Sequence, residues 1–193
     1  MPFKNVFLFA LTAFLAVSTA FAGKREDLAV ESTIELFKEA KATVPFFASA
    51  YAYAVFPSIG KGGFGVGGSY GKGQVFRNGE HVGDTSMTQV TIGFQLGGQA
   101  FSQMIFFEDE AAFEEFTSGN YEFGAQVSAV ALTAGVEASA GTGGTTAGAS
   151  AGSDSAHAQH DYSLGVAIFT IAKGGLMYEA SIGGQKFKYH ALD

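Results

Sequence analysis

The chain has 193 residues, a formal charge of −7 from 11 Lys and Arg against 18 Asp and Glu, and no cysteine. Phosphate backbones are bound by cationic stripes, so this acidic balance excludes nucleic acid as an expected partner. The missing cysteines exclude disulfides, thiol nucleophiles and a cysteine-linked lipid anchor, which leaves packing as the source of stability.

Lys4 precedes an apolar run from Val6 to Val17, followed by Ser18, Thr19 and Ala20-Phe21-Ala22. Charge, apolar core and small-x-small is the order of a secretory signal peptide, cut after Ala22. The core is about a dozen residues, short of the roughly 20 that a spanning helix needs. An uncleaved anchor is the alternative. The expectation is export to the periplasm or extracellular space, with 1–22 removed and 23–193 forming one domain. Losing Lys4 takes the formal charge from −7 to −8. Outside the cytoplasm ATP and nicotinamides are scarce, so no cofactor is expected. The 20 Phe and 27 Gly point to sheets whose rings fill space that glycine leaves open.

From Glu26 to about Ala42 the period is helical: Val30, Ile34, Phe37 and Val44 on one stripe, Glu31, Glu35, Lys38 and Glu39 opposite. The acidic polar face favours core packing over a lipid surface. Pro45 is expected to stop the helix. Phe46 to Phe56 reads either as a short buried helix or as the opening of a strand at Val55-Phe56-Pro57.

At Gly60 the period changes to two, with Phe64 and Val66 alternating with glycines. Asn78-Gly79 between Gln74–Arg77 and Glu80–Val82 is a two-residue hairpin signal. Val90, Ile92, Phe94 and Leu96 share one face of a half-buried strand, with Gln89, Thr91, Gly93 and Gln95 on the other. Ala100 to Phe107 is apolar on both faces and reads as a central strand. Glu108-Asp109-Glu110 opens a short helix with Ala112, Phe113 and Phe116 inward and Gly119 as its cap.

Tyr121 to Glu137 is extended in character. Ala138 to Ala158 is nearly all Ala, Gly, Ser and Thr and reads as a loop in preference to a tight glycine-alanine sheet. Tyr162 to Ala172 is an apolar strand turned by Lys173-Gly174-Gly175. Leu176, Tyr178, Ala180 and Ile182 alternate, and the parity then shifts to Phe187 and Tyr189. Lys186 and Lys188 on the opposite face suit a guarded edge strand. The sum is an α+β fold: a mostly antiparallel β-sheet curled into a barrel- or sandwich-like body with two or three helices packed on it.

Gly60-Lys61-Gly62-Gly63-Phe64-Gly65 matches G-x-G-x-x-G, but a strand follows it where dinucleotide binding requires a helix. His157 and His160, near Asp154 and Asp161, lie beside the low-complexity tract and lack a rigid third ligand, so no metal is expected. No G-x-S-x-G elbow occurs, and Asp109, Glu110, Glu114 and Glu115 read as a charged helix face. No catalytic residues emerge, and the chain is expected not to be an enzyme. Lys61, Lys72 and Arg77 are three cations within 17 residues of an acidic protein. They are the candidate lipid-binding residues, on electrostatic grounds.

Ala54-Val55-Phe56-Pro57, then Gly62 to Gly68, Tyr70-Gly71 and Gly73 resemble the opening of the SYLF domain, also called the Ysc-type actin-binding domain. The similarity continues through Gly93-Phe94-Gln95-Leu96-Gly97-Gly98-Gln99-Ala100, Phe106-Phe107, Phe116, Ser118-Gly119 and Gly174-Gly175-Leu176, spanning about 29 to 185. The resemblance implies lipid binding, with anionic phospholipids favoured, and actin binding in fungal members. An exported chain would not meet actin, so actin is not an expected partner. Two functions follow as expectations. One is a non-enzymatic protein that binds anionic phospholipid or the membrane surface in the cell envelope. The other is a structural or protein-interaction component of the envelope with an envelope protein as partner.

Overall fold

A computed structural model describes residues 23–64, 66–92, 99–124, 129–132, 162–173 and 184–192. The expected signal peptide at 1–22, the segment 138–158, His157, His160 and the alternation at 176–182 lie outside the described residues.

The stripe of Val30, Ile34 and Phe37 is buried on a helix that runs through 23–38 (α1). Val44 does not extend that stripe: it is 53% exposed and opens a second helix, Val44–Ser49 (α2). Pro45 begins this helix where it was expected to stop the first, since a first-turn N–H has no intrahelical partner to lose. α1 ends earlier because Thr43, fully buried, folds back and its hydroxyl meets the Phe37 and Ala40 carbonyl oxygens. Both readings of 46–56 hold in part, because α2 is followed directly by β1, Ala52–Phe64.

β1 pairs antiparallel with β2, Val66–Arg77, up to Phe64 opposite Val66, so the run read as one alternating segment is two antiparallel strands. Pro57 cannot donate to a ladder, and the registers with both neighbours shift beside it. Asn78 (φ 54°) and Gly79 (φ 81°) make the expected tight turn into β3, Glu80–Ile92. β4, Gln99–Phe107, is buried from Phe101 to Phe107.

α3, Glu110–Thr117, buries Ala112, Phe113 and Phe116. The Asp109 carboxylate accepts from the Ala112 amide at 2.9 Å, and Gly119 leaves the helix at φ 105°. Asp109→Ala is expected to lower unfolding stability by about 1 kcal/mol in denaturant titration. β5 is Tyr121–Glu122 and β6 is Ala129–Leu132. β7, Val166–Lys173, starts later than expected because Leu164 and Gly165 form a turn at positive φ. β8 is Lys186–Ala191.

These eight strands form one sheet in the order β5-β8-β3-β2-β1-β4-β7-β6, antiparallel except for β6 beside β7. β8 is therefore flanked by β3 and, at Lys186 and Phe187, by β5, and is not the outermost strand.

The sheet curls. β8 and β4 are four strand spacings apart, about 19 Å on a flat sheet. Yet Gln103 on β4 and Gln185 beside β8 exchange two hydrogen bonds, 2.9 and 3.1 Å, and Phe56 on β1 meets Phe187 on β8 at 5.7 Å. The face on which they meet is the inner one. It holds Phe56, Ile59, Met87, Phe101, Ile105 and Phe107, covered at one end by α3. The outer face carries Val55, Met104, Phe106 and Phe169 under α1 and α2. β4 is thus doubly covered, as its composition demands.

The glycines act as expected where rings need room: a Cβ on Gly73 would lie 2.8 Å from the Phe56 ring. Burial pushes the Tyr53, Tyr121, Tyr162 and Tyr189 hydroxyls above their ordinary pKa of 10.0. A raised folded pKa favours the neutral phenol, so this stability is complete below pH 10 and is lost as the pH rises through the folded values. Thermal melts should accordingly hold steady from pH 7 to 9 and fall above about pH 10. No described helix is long and apolar enough to cross a membrane.

Candidate functional site

Strand parity separates the three expected cations. Lys72 pairs with Ser58 and Ser86, on the outer face shared with Gln74 and Phe76. Lys61 pairs with Ser69 and follows Ile59 by two, which puts it on the inner face. Arg77 also belongs to the inner face, eight residues farther along β2, about 26 Å away at ordinary strand rise. Its guanidinium sits 5.7 Å from the centroid of the Phe113 ring on α3. The sheet does not bring these three together.

What it does bring together is a different group. Ser86 lies between Lys72 on β2 and Lys188 on β8, so these two lysines are two strand spacings apart, about 10 Å. Lys186 follows two residues along β8 and is level with Thr88 and Tyr70. All three lysines are exposed on the outer face. Beside them on the same face are Tyr70, 53% exposed, and Val90, 77% exposed.

Val90 corrects the expectation for its strand. The face bearing Val90 is the exposed one, and Gln89 on the opposite face is buried at 4%. The reason is the reach of α1: Asp27, near its described start, accepts from Gln74 at 3.0 Å, and Lys72, Tyr70 and Val90 lie farther along the sheet. Phe94 and Leu96 fall outside the described residues.

The electrostatics of this face are uneven. Lys186 lies 3.4 Å from Glu122, an exposed pair that offsets part of its charge. Asp84 on the same face is engaged by His81 at 3.0 Å. Neither Lys72 nor Lys188 has an ion-pair partner among the described residues. Lys24 and Arg25, exposed in the turn of α1 before Asp27, add positive charge at that helix end. Among the described residues no three His, Asp or Glu side chains gather as metal ligands would.

The sequence reading placed Lys186 and Lys188 on one exposed face but as guards of an edge. Their role beside Lys72 depends on the order β2-β3-β8, which joins positions more than a hundred residues apart.

Such a body is a curled antiparallel half-barrel with helices on both faces and an uncovered basic stretch on the outer one. A family model described as Las17-binding protein actin regulator (Ysc84) matches residues 88–190, more than half of the chain. The chain belongs to this family, the SYLF-domain proteins. It is also 30% identical over 162 residues to beta cell expansion factor A of Aeromonas veronii, an alignment covering 83% of this chain and 54% of that protein. The chain spans about half the length of that curated relative.

Proposed function

We propose that this protein is exported and binds anionic phospholipid at a membrane surface of the cell envelope, without catalysing a reaction. The observation that carries the reading is the outer-face cluster of Lys72, Lys186 and Lys188 beside exposed Tyr70 and Val90, on a chain that is acidic overall. Each cation near an anionic bilayer contributes about 1 kcal/mol of attraction. A tyrosine and a valine beside them suit the headgroup boundary, where an apolar body and a polar tip are both accommodated. Family membership supports the same reading, because SYLF domains bind lipid in general. The leader-like pattern of residues 1–22 supports export.

Liposome flotation tests it. Vesicles of phosphatidylglycerol and phosphatidylcholine should carry the protein upward, and pure phosphatidylcholine vesicles should leave it below. Raising the salt from 0.05 to about 0.5 M should release it, as the Debye length shrinks to a few ångströms. Absence from both vesicle types would remove the proposal. For export, N-terminal sequencing of the native product should begin at Gly23; a start at Met1 in a cytosolic fraction contradicts it.

A further inference from the structure

The inner face changes character near the glycine-rich end of the sheet. One transverse row is apolar, with Phe101 on β4, Ile59 on β1 and Met87 on β3, all buried beside Gly71 on β2. The next row, toward the Phe64 end of β1, is wholly polar: Gln99, Lys61, Ser69 and Gln89, on four adjacent strands. Exposure falls along that row, from Gln99, exposed, through Lys61, half-buried, to Ser69 at 5% and Gln89 at 4%. A solvated rim would leave all four in water, and this one does not.

Ser69 is the informative member. Its Oγ is buried and has no hydrogen-bond partner, and Lys61, its ladder partner on β1, shares its face of the sheet. Buried hydroxyls in folded proteins are nearly always paired, because desolvating one without a partner is costly. A hydroxyl and an ammonium on neighbouring strands suit an anion, which can accept from both in charge-assisted hydrogen bonds. The row offers such an anion the Lys61 ammonium, the Ser69 hydroxyl and the Gln99 amide, and it contains no carboxylate to repel it.

We infer that Lys61 and Ser69 form an oxyanion site at the inner rim of the half-barrel, taking a phosphate group with Lys61 as counter-ion and Ser69 as donor. The phosphate comes either from a phospholipid headgroup or from free phosphate. The lipid source rests on the function proposed above; the site itself does not. It is separate from the outer face, since Lys61 and Lys72 project from opposite sides of the sheet.

Titration of the full mature chain with inorganic phosphate, and with dihexanoylphosphatidylglycerol below its micelle concentration, tests the inference by NMR. Saturable shifts of the Ser69 and Gln89 amides are expected, weakened at least about tenfold by Lys61→Gln and several-fold by Ser69→Ala. Ser69→Ala should leave the melting temperature of the ligand-free protein equal or higher, because it removes an unpaired hydroxyl, so lost binding cannot be ascribed to misfolding. Binding of both probes supports a general phosphate site, and binding of the phospholipid alone assigns the headgroup as the source. Absence of saturable binding, or equal affinity in both variants and the parent, overturns the site. Vesicle flotation through Lys72 and Lys188 reads the outer face independently, so failure of either proposal is distinguishable from failure of the other.

Discussion

Gly73→Ala is expected to lower the melting temperature by roughly 6–12 °C, about 3 kcal/mol for a domain of this size. An alanine Cβ there would lie 2.5 Å from the Val55 carbonyl oxygen and 2.8 Å from the Phe56 ring. Neither neighbour can yield cheaply. The carbonyl belongs to a central strand beside the Pro57 irregularity, and the ring is buried against Phe187. Gly71→Ala should cost less, because the nearest backbone atom there, the Ser58 carbonyl oxygen, is 3.1 Å away against 2.5 Å for the Val55 oxygen at Gly73, although the buried Ile59 Cγ1 at 2.6 Å must still shift. Gly60→Ala meets nothing within 4 Å and should be neutral or slightly stabilising, since alanine restricts the unfolded chain. Differential scanning calorimetry should rank the three losses in the order 73, 71, 60. An equal effect at all three would mean that chain entropy, and not the ring beside the glycine, sets the cost.

The second large effect is on membrane binding. Lys72→Gln with Lys188→Gln should weaken partitioning onto anionic vesicles roughly 30-fold, the equivalent of about 2 kcal/mol from two lost cations. Lys186→Gln alone should do less, because Glu122 at 3.4 Å already offsets its charge. Arg77→Gln should leave partitioning unchanged, since its guanidinium lies over Phe113 on the inner face. All four positions are exposed, so melting temperatures should stay close to the parent and a loss of binding would not report unfolding. A double variant that partitions as well as the parent would detach lipid binding from this surface.

Local chemistry made several elements readable in advance. Asn78-Gly79 announced its hairpin because both positions tolerate positive φ. Glu108-Asp109-Glu110 announced α3 because acidic side chains suit a helix N-terminus, and there the Asp109 carboxylate accepts from the Ala112 amide. Ala100 to Phe107 announced a doubly covered strand because apolar residues of both parities need two covers, and Phe101 to Phe107 are buried. The start of α2 was misjudged at Pro45, whose restricted φ serves a first helical turn as well as it ends an earlier helix. Val90 was placed with a buried face because alternation groups side chains without saying which group is covered. The answer depended on how far α1 extends over the sheet, to Asp27 beside Gln74.

The candidate sites divide the same way. Lys61, Lys72 and Arg77 are near in sequence, and proximity along a strand suggested a common patch. Two-residue periodicity instead sends Lys72 outward and the other two inward, and the irregularity at Pro57 resets the parity of β1 on which Lys61 depends.

From the order of residues alone came the α+β class, the hairpin, the buried central strand, the capped helix and the family, because each rests on contacts among neighbours or on an ordered series of local motifs. Tertiary structure alone set Lys188 across Ser86 from Lys72, and Gln103 against Gln185. Those meetings depend on strand order and sheet curl, which arise when distant segments share one core and leave no trace in local spacing.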